Sequence, residues 1–181
     1  LELIGRRHTA EETEQAYFLA RTAGFRNINM DVIAGLPGEA PEDFAETLNR
    51  IARLRPDALT VHTLSVKRAA DLKRDARAAL LRHDVTGKML SLSRTAAREM
   101  GMIPFYMYRQ KNMLGNHENV SYCRPGCESP YNIHIMEEDQ TIFAFGAGGV
   151  SKLSVPVPDA EPNILRSFNV KSVEDYLARS G

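Results

Sequence analysis

Asn27-Ile28-Asn29-Met30-Asp31-Val32-Ile33-Ala34-Gly35-Leu36-Pro37-Gly38 reads as one buried strand that carries an acid in its middle and stops in a Gly-Leu-Pro-Gly turn. Ile28, Met30, Val32, Ile33 and Ala34 are apolar on both parities, the pattern of a parallel strand covered on both faces. Asp31 breaks that pattern. A carboxylate in such company needs a partner or a ligand, because burying it bare costs several kcal/mol or shifts its pKa. Asn29 shares its side of the strand, so one face is polar. In a closed parallel barrel, a polar inner face means a lumen with something in it.

Working outward, Thr9-Ala10-Glu11-Glu12 has capping-box spacing, and Ala16, Tyr17, Ala20 and Ala23 recur at helical intervals before Gly24, a C′ glycine. After the turn, Pro41, Glu42 and Asp43 make a good first helical turn, and Phe44, Leu48 and Ile51 mark its buried stripe. Arg55-Pro56-Asp57 ends that helix, and Ala58 to Leu64 reads as the next strand. Helix, strand, helix, strand with short connections is the grammar of βα units and a parallel sheet.

At 181 residues the chain is long enough for one domain with a real core, and its hydrophobic and charged shares, 43% and 25%, are those of a globular protein. A formal net charge of zero leaves no global field to recruit nucleic acid or an anionic membrane. No apolar run approaches the roughly 20 residues of a membrane span. Leu1 to His8 lacks an initiator Met and any signal-peptide pattern, so the chain reads as beginning mid-domain. Two cysteines and seven methionines suit a reducing cytoplasm better than a disulfide scaffold.

Further along, Val66 to Arg82 is predicted helical, with Lys67, Arg68, Lys73, Arg74, Arg77 and Arg82 against Asp71 and Asp75. A solvated helix face is the plain reading, and a basic rim for a ligand with several carboxylates the sharper one. His83 to Thr86 restarts the chain, a second helix follows on Met89, Leu92, Ala96 and Met100, and Ile103 to Tyr108 is a strand whose Pro104 argues for its start or for an edge. From Arg109 to Asn132 the pattern dissolves into a long loop with at most short strands, the kind that covers a site. Gln140 to Phe145 reads as a strand, Ser151 to Asn169 with Pro156, Pro158 and Pro162 as mostly irregular, and Ser172 to Arg179 as a short helix. Two regions follow: βα units over 1–110 and a loop-rich extension over 111–181.

Most chemical signatures fail on inspection. Cys123-Arg-Pro-Gly-Cys127 is C-x3-C, but Pro130 stands where a third thiolate would complete C-x3-C-x2-C, so no metal site is expected among these residues. Gly146-Ala-Gly-Gly149 lacks G-x-G-x-x-G and runs into Pro-rich chain instead of a helix. Gly35 to Gly38 is no P-loop, yet it is a strand-to-helix turn at the C-terminal edge of a parallel sheet, where barrels build their sites. His62 reads as a satisfied core histidine, and no Ser–His–Asp or Cys–His set is legible.

Taken together, Ile4-Gly5-Arg6-Arg7-His8, Gly24-Phe25, Asn29 to Gly38 and Pro56-Asp57 resemble the oxygen-independent coproporphyrinogen III oxidase family of radical S-adenosylmethionine (SAM) proteins. Tyr108-Arg109-Gln110-Lys111-Asn112-Met113 and Tyr131-Asn132-Ile133-His134-Ile135-Met136-Glu137-Glu138 resemble its coproporphyrinogen dehydrogenase HemZ-like branch. The resemblance implies the later half of an incomplete, TIM-like parallel (β/α) barrel with an irregular C-terminal extension. S-adenosyl-L-methionine would lie across the strand ends, and a 4Fe-4S cluster would be held by C-x3-C-x2-C expected upstream of Leu1. It implies oxidative decarboxylation of coproporphyrinogen III to protoporphyrinogen IX in haem biosynthesis, with an electron donor reducing the cluster. The chain as given, lacking the cluster motif, would be inactive alone.

Residue by residue, the resemblance matches Arg6 to the arginine that pairs with the cofactor's carboxylate, a bidentate task suited to guanidinium. Asp31 matches the acid that accepts from the cofactor's ribose hydroxyls, and Ser65 a strand-end position that touches it through backbone. Gly149-Val150-Ser151 matches a late turn bordering the same pocket. The competing reading is a haem chaperone of the same superfamily. Such proteins carry His-Asn-x-x-Tyr-Trp after Tyr-x-Arg-Pro-Gly-x-Glu-Ser; here Tyr122 to Ser129 fits the second segment, but Tyr131 and Ile135-Met136 replace the His and the Tyr-Trp, and the chain has no Trp. That departure favours the enzyme.

Overall fold

A computed structural model describes residues 7–64, 76–108, 118–158 and 160–179. The chain divides into two compact units, Leu1–Glu128 and Ser129–Gly181.

The first unit carries a four-stranded sheet in the order β1-β2-β4-β3. Its elements are α1 (Ala10–Thr22), β1 (Asn29–Ala34), α2 (Pro41–Leu54), β2 (Ala58–Thr63), α3 (Ala76–Glu99), β3 (Ile103–Tyr108) and β4 (Asn119–Cys123). The capping box at the start of α1 forms: Thr9 Oγ1 accepts from Glu12 N and Glu12 Oε2 from Thr9 N. At its far end Phe25 N donates to the Ala20 carbonyl, and Gly24 takes the left-handed φ of 95° that such a turn requires. Arg21 then ties the α1–β1 turn to the α2–β2 turn. Its guanidinium donates to the Arg26 carbonyl, lies over the Tyr17 ring and pairs with Asp57, whose carboxylate also accepts from Ile28 N.

One face of the sheet meets α2 and α3. Val32, Ala34, Leu59, Val61 and Tyr122 pack there against Phe44, Leu48, Ile51, Met89, Leu90 and Ala97. Gly35 closes β1 hard against α3: its amide faces Met89 Sδ at 3.2 Å, and a Cβ built on it would come within 2.6 Å of Thr86 Oγ1.

The sheet corrects the expected all-parallel arrangement to α/β with a mixed sheet. β1 and β2 pair in parallel, with Asp31 beside Thr60 and Ile33 beside His62. β4 is antiparallel to both β2 and β3. Thus β1, β2 and β3 run one way, as their helical crossovers demand, and β4 is wedged between β2 and β3 in the opposite sense. No helix separates β3 from β4 among the described residues, and an antiparallel return needs none. β3 is the edge strand that Pro104 predicts, with its irregularity between Pro104 and Tyr106.

Two local expectations also change, and a third lies partly outside the described residues. The restart at His83–Thr86 is absent, and α3 runs unbroken through it, since Gly87 alone costs only about 1 kcal/mol inside a helix. The first part of the expected basic helix, 66–75, lies outside the described residues. Within the expected loop 109–132, the described part yields β4 and the start of α4 (Pro130–Glu137), which has Ser129 as N-cap and Pro130 in its first turn.

The second unit contains α4, the hairpin β5 (Val150–Val157) with β6 (Ala160–Phe168), and α5 (Val173–Arg179). The stretch expected to be irregular is therefore a hairpin. Pro156 and Pro162 fall where its register slips between Val155 and Val157, a place where a missing N–H costs no ladder bond. Gln140–Phe145 contributes only an isolated bridge, Ile142 with Lys152, rather than the expected strand. The terminal helix is where the sequence puts it.

Candidate functional site

Alternation along a strand sends Asn29 and Asp31 to the sheet face opposite the helices, together with Thr60 and His62 of β2 and Ser121 of β4. These polar side chains are linked. Asn29 Nδ2 donates to Asp31 Oδ1 at 2.6 Å, and Thr60 Oγ1 donates to Asn29 Oδ1 at 3.1 Å. Thr60 Oγ1 also lies 3.0 Å from Ser121 Oγ. Asp31 Oδ2 stands 3.4 Å from His62 Nε2, and the other ring nitrogen of His62, Nδ1, lies 3.2 Å from the Tyr108 hydroxyl. Two tyrosines of the edge strand, Tyr106 and Tyr108, have ring centroids 5.4 Å apart.

Asp31 is accordingly not buried bare, and among the described residues it pairs with no arginine or lysine; its side chain is 59% exposed and its partner is an imidazole. His62 holds the Asp31 carboxyl below the usual carboxylate range, opposed by partial burial and helped by donation from Asn29. An ionised carboxylate is an acceptor only, with about four lone-pair sites. Asn29 and His62 engage one site on each oxygen, which leaves acceptor capacity for a ligand that presents hydroxyl groups. His62 is satisfied but half-buried on the polar face, not in the core.

At the end of β1, Glu39 follows the Gly-Leu-Pro-Gly turn. Burial, and next the charge of Asp43, push its carboxyl above the ordinary range, and its Oε2 has no hydrogen-bond partner among the described residues. Nothing in the sequence singles out Glu39, because a Glu after a turn looks like a first-turn helix acid.

Of the expected cofactor residues, Asp31 stands on this face, while Arg6 and Ser65 lie outside the described residues. Gly149, Val150 and Ser151 belong to the second unit, where they open β5. Asn169 Nδ2 donates to the carbonyls of Ala144 and Gly146, Gly146 N donates to the Tyr176 hydroxyl, and Ser151 Oγ accepts from Ala144 N. The glycine run is a braced turn.

The cysteines part company. Cys123 is fully buried in β4, and burial, then the neighbouring Glu128, push its thiol up to about 11. Cys127 sits half-buried in the following turn. No three His, Cys, Asp or Glu side chains converge on a metal-sized site among the described residues. A groove of about 900 Å³ opens on the other face of the sheet, between α3 and β3, floored by Val61, Val120 and Tyr122 with Arg94 and Arg98 beside it. It is a separate feature from the polar face. No helix of the described residues is long and apolar enough to cross a membrane.

No family model matches the chain. The oxygen-independent coproporphyrinogen-III oxidase-like protein HemZ of Bacillus subtilis is 48% identical over 153 residues, covering 84% of this chain and 30% of that protein. The heme chaperone HemW of Bacillus subtilis is 25% identical over 180 residues, 98% of this chain and 42% of HemW. The solved structure of the Escherichia coli coproporphyrinogen III oxidase HemN, described as a radical SAM enzyme, superposes with a TM-score of 0.66 at 20% identity, over 98% of this chain and 39% of HemN. The chain thus spans less than half the length of each of these proteins, and its α/β fold is that of the matching part of HemN. With 48% identity over most of its length, the chain is a homologue of the HemZ-like oxygen-independent coproporphyrinogen III oxidases.

Proposed function

We propose that this chain forms part of a radical SAM oxidoreductase that oxidatively decarboxylates coproporphyrinogen III, and that the Asp31 face is its share of the cofactor site. The observation that carries the reading is Asp31 itself. It is an ionised, half-exposed carboxylate with donors already on both oxygens and acceptor sites left over, on the strand that ends in the Gly35 turn. Vicinal ribose hydroxyls fit that acceptor set.

Arg6 in this reading takes the carboxylate of S-adenosylmethionine, and Ser65 touches it through backbone. When bound beside a reduced iron–sulfur cluster, S-adenosylmethionine supplies the hydrogen abstraction that starts the decarboxylation. The chain's own residues orient and hold. β1 and β2 would be parallel strands of the incomplete (β/α) barrel. The cluster would be held by residues other than those described, since no ligand set converges among them. Residues 1–110 would supply the barrel's βα units; of 111–181, expected as the extension, β4 joins their sheet, and the extension would be the unit that begins at Ser129. Porphyrinogen would be the substrate, an electron donor would reduce the cluster, and the cytoplasm would be the compartment.

The HemW likeness extends over 98% of the chain and supports a second reading, haem binding without dehydrogenation. Anaerobic incubation of the intact, cluster-reconstituted protein with coproporphyrinogen III and S-adenosylmethionine, beside a haem titration, separates the two. Decarboxylated product is expected. Stoichiometric haem binding with no porphyrinogen consumed would overturn the proposal.

A further inference from the structure

Asp31, His62 and Tyr108 come from β1, β2 and β3, and the last two of those strands are not neighbours. β4 lies between them, so the Tyr108 phenol and the His62 ring reach toward each other across two strand spacings, about 9.6 Å from backbone to backbone, to bring the hydroxyl to Nδ1. Asn119, its cross-strand partner on β4, has its own side chain engaged with the Thr63 amide at 2.7 Å. A long aromatic side chain reaching over an intervening strand to one ring nitrogen is a specific arrangement.

Donor and acceptor roles follow from the carboxylate. Because ionised Asp31 can only accept, the His62 nitrogen facing it, Nε2, carries the proton. Nδ1 and the Tyr108 hydroxyl share the ring's other hydrogen bond, the hydroxyl donating where the ring is neutral and accepting where it is protonated. Asn29 donates to the other Asp31 oxygen. An exposed aspartate on a strand would ordinarily sample several rotamers. Here it is clamped from both sides, and one clamp is itself anchored from a third strand.

We propose that His62 is a positioning residue for Asp31, with Tyr108 as its anchor, and that together they fix the carboxylate in the orientation in which it accepts from a vicinal diol. This rests on the reading that Asp31 contacts the ribose of S-adenosylmethionine. Neither His62 nor Tyr108 need touch the ligand. The ionisable groups described on this face are Asp31 from β1, His62 from β2, Tyr106 and Tyr108 from β3, and Cys123 from β4, whose thiol burial pushes up to about 11; β4 also contributes the uncharged Asn119 and Ser121.

The test is S-adenosylmethionine affinity of the intact, anaerobically reconstituted protein, measured by calorimetry across a pH series. Asp31→Asn, His62→Phe, His62→Gln, Tyr108→Phe and the double variant Asp31→Asn with His62→Phe are compared. His62→Phe is expected to weaken binding about tenfold, and Tyr108→Phe about threefold, the range of one hydrogen bond lost or loosened. His62→Gln, whose amide N–H falls near Nε2, should restore most of the affinity. The pH below which affinity falls should rise in His62→Phe and stay put in His62→Gln. Adding His62→Phe to Asp31→Asn should cost nothing more, since a positioning residue has nothing left to position. Unchanged affinity in Asp31→Asn would overturn the underlying reading. Weak binding in Asp31→Asn with unchanged binding in His62→Phe and Tyr108→Phe, or additive losses in the double variant, would overturn the positioning role alone. Should His62→Phe fail to fold, Tyr108→Phe and His62→Gln carry the test, and wild-type affinity in Tyr108→Phe would overturn it.

Discussion

Asp57→Ala removes a carboxylate that joins the α1–β1 turn to the α2–β2 turn. Its carboxylate accepts from Ile28 N at 2.9 Å, at the mouth of β1, and pairs with Arg21, which reaches back from α1. The two side chains are 12% and 27% exposed, so the pair is screened only in part. A hydrogen bond to a charged group is worth about 1.5–3 kcal/mol, and a partly exposed ion pair adds about 0–1. Arg21 keeps its contacts to the Arg26 and Phe25 carbonyls and to the Tyr17 hydroxyl, so its charge is not stranded. The expected loss is about 2–4 kcal/mol for Asp57→Ala. Asp57→Asn retains an acceptor for Ile28 N and should lose about half of that. Urea unfolding of the intact protein reads both as a fall in midpoint at constant slope. A loss under about 0.5 kcal/mol for the alanine variant, the level of an ordinary surface change, would refute the clasp. Equal losses for Asn and Ala would show that the backbone acceptor role is wrong.

Gly35→Ala forces a Cβ to within 2.6 Å of Thr86 Oγ1 at a φ of 88°, so it should destabilise by about 1–3 kcal/mol; a melting temperature equal to that of the parent would contradict the close turn. Cys127 should react with a thiol reagent at pH 8 in the folded protein while Cys123, buried with its thiol near 11, reacts only on unfolding; mass spectrometry of the labelled peptides decides it. The folded pKa of Asp31 is depressed, so its share of stability is full above the ordinary carboxylate value and drains as pH falls through the lower folded value. The gap in stability between the parent and Asp31→Asn should therefore narrow on acidification; a gap that widens instead would show that the sign is wrong. The chain as given, with two cysteines, reconstituted anaerobically with iron and sulfide, should not take up a stoichiometric four-iron cluster, and uptake of one would refute this expectation.

The parts of the fold legible in the sequence are those governed by short-range rules. The capping box at Thr9, the glycine at 24, the Pro41 helix start with its Phe44–Leu48–Ile51 stripe and the strands around Asp31 and Thr60 all follow from local spacing. β4 was not legible. Asn119-Val-Ser-Tyr-Cys123 does alternate, but five residues among Asn, Gly and Pro carry too weak a period to declare a strand, and nothing local says that it runs between β2 and β3. The β5–β6 hairpin was hidden by prolines that sit in its register slip. Of the site, Asp31 was legible as an acid on an apolar strand. Its partners His62 and Tyr108 were not, because they lie 31 and 77 residues further along, and only the sheet order brings them within reach.

The wedged position of β4 has a consequence for synthesis. As the chain leaves the ribosome, β1 and β2 can pair and take α2 and α3 onto one face. β3 then emerges with the right direction and the right hydrophobic face, yet its proper neighbour does not exist. The slot between β2 and β3 stays open until residues 119–123 arrive; the contact that closes it, Thr60 to Ser121, spans 61 positions. In that interval β2 and β3 present bare edges, and a direct parallel pairing between them would exclude β4 and with it the Thr60–Ser121 contact. A nascent chain stalled short of Cys123 therefore leaves both strand edges open to edge-to-edge association.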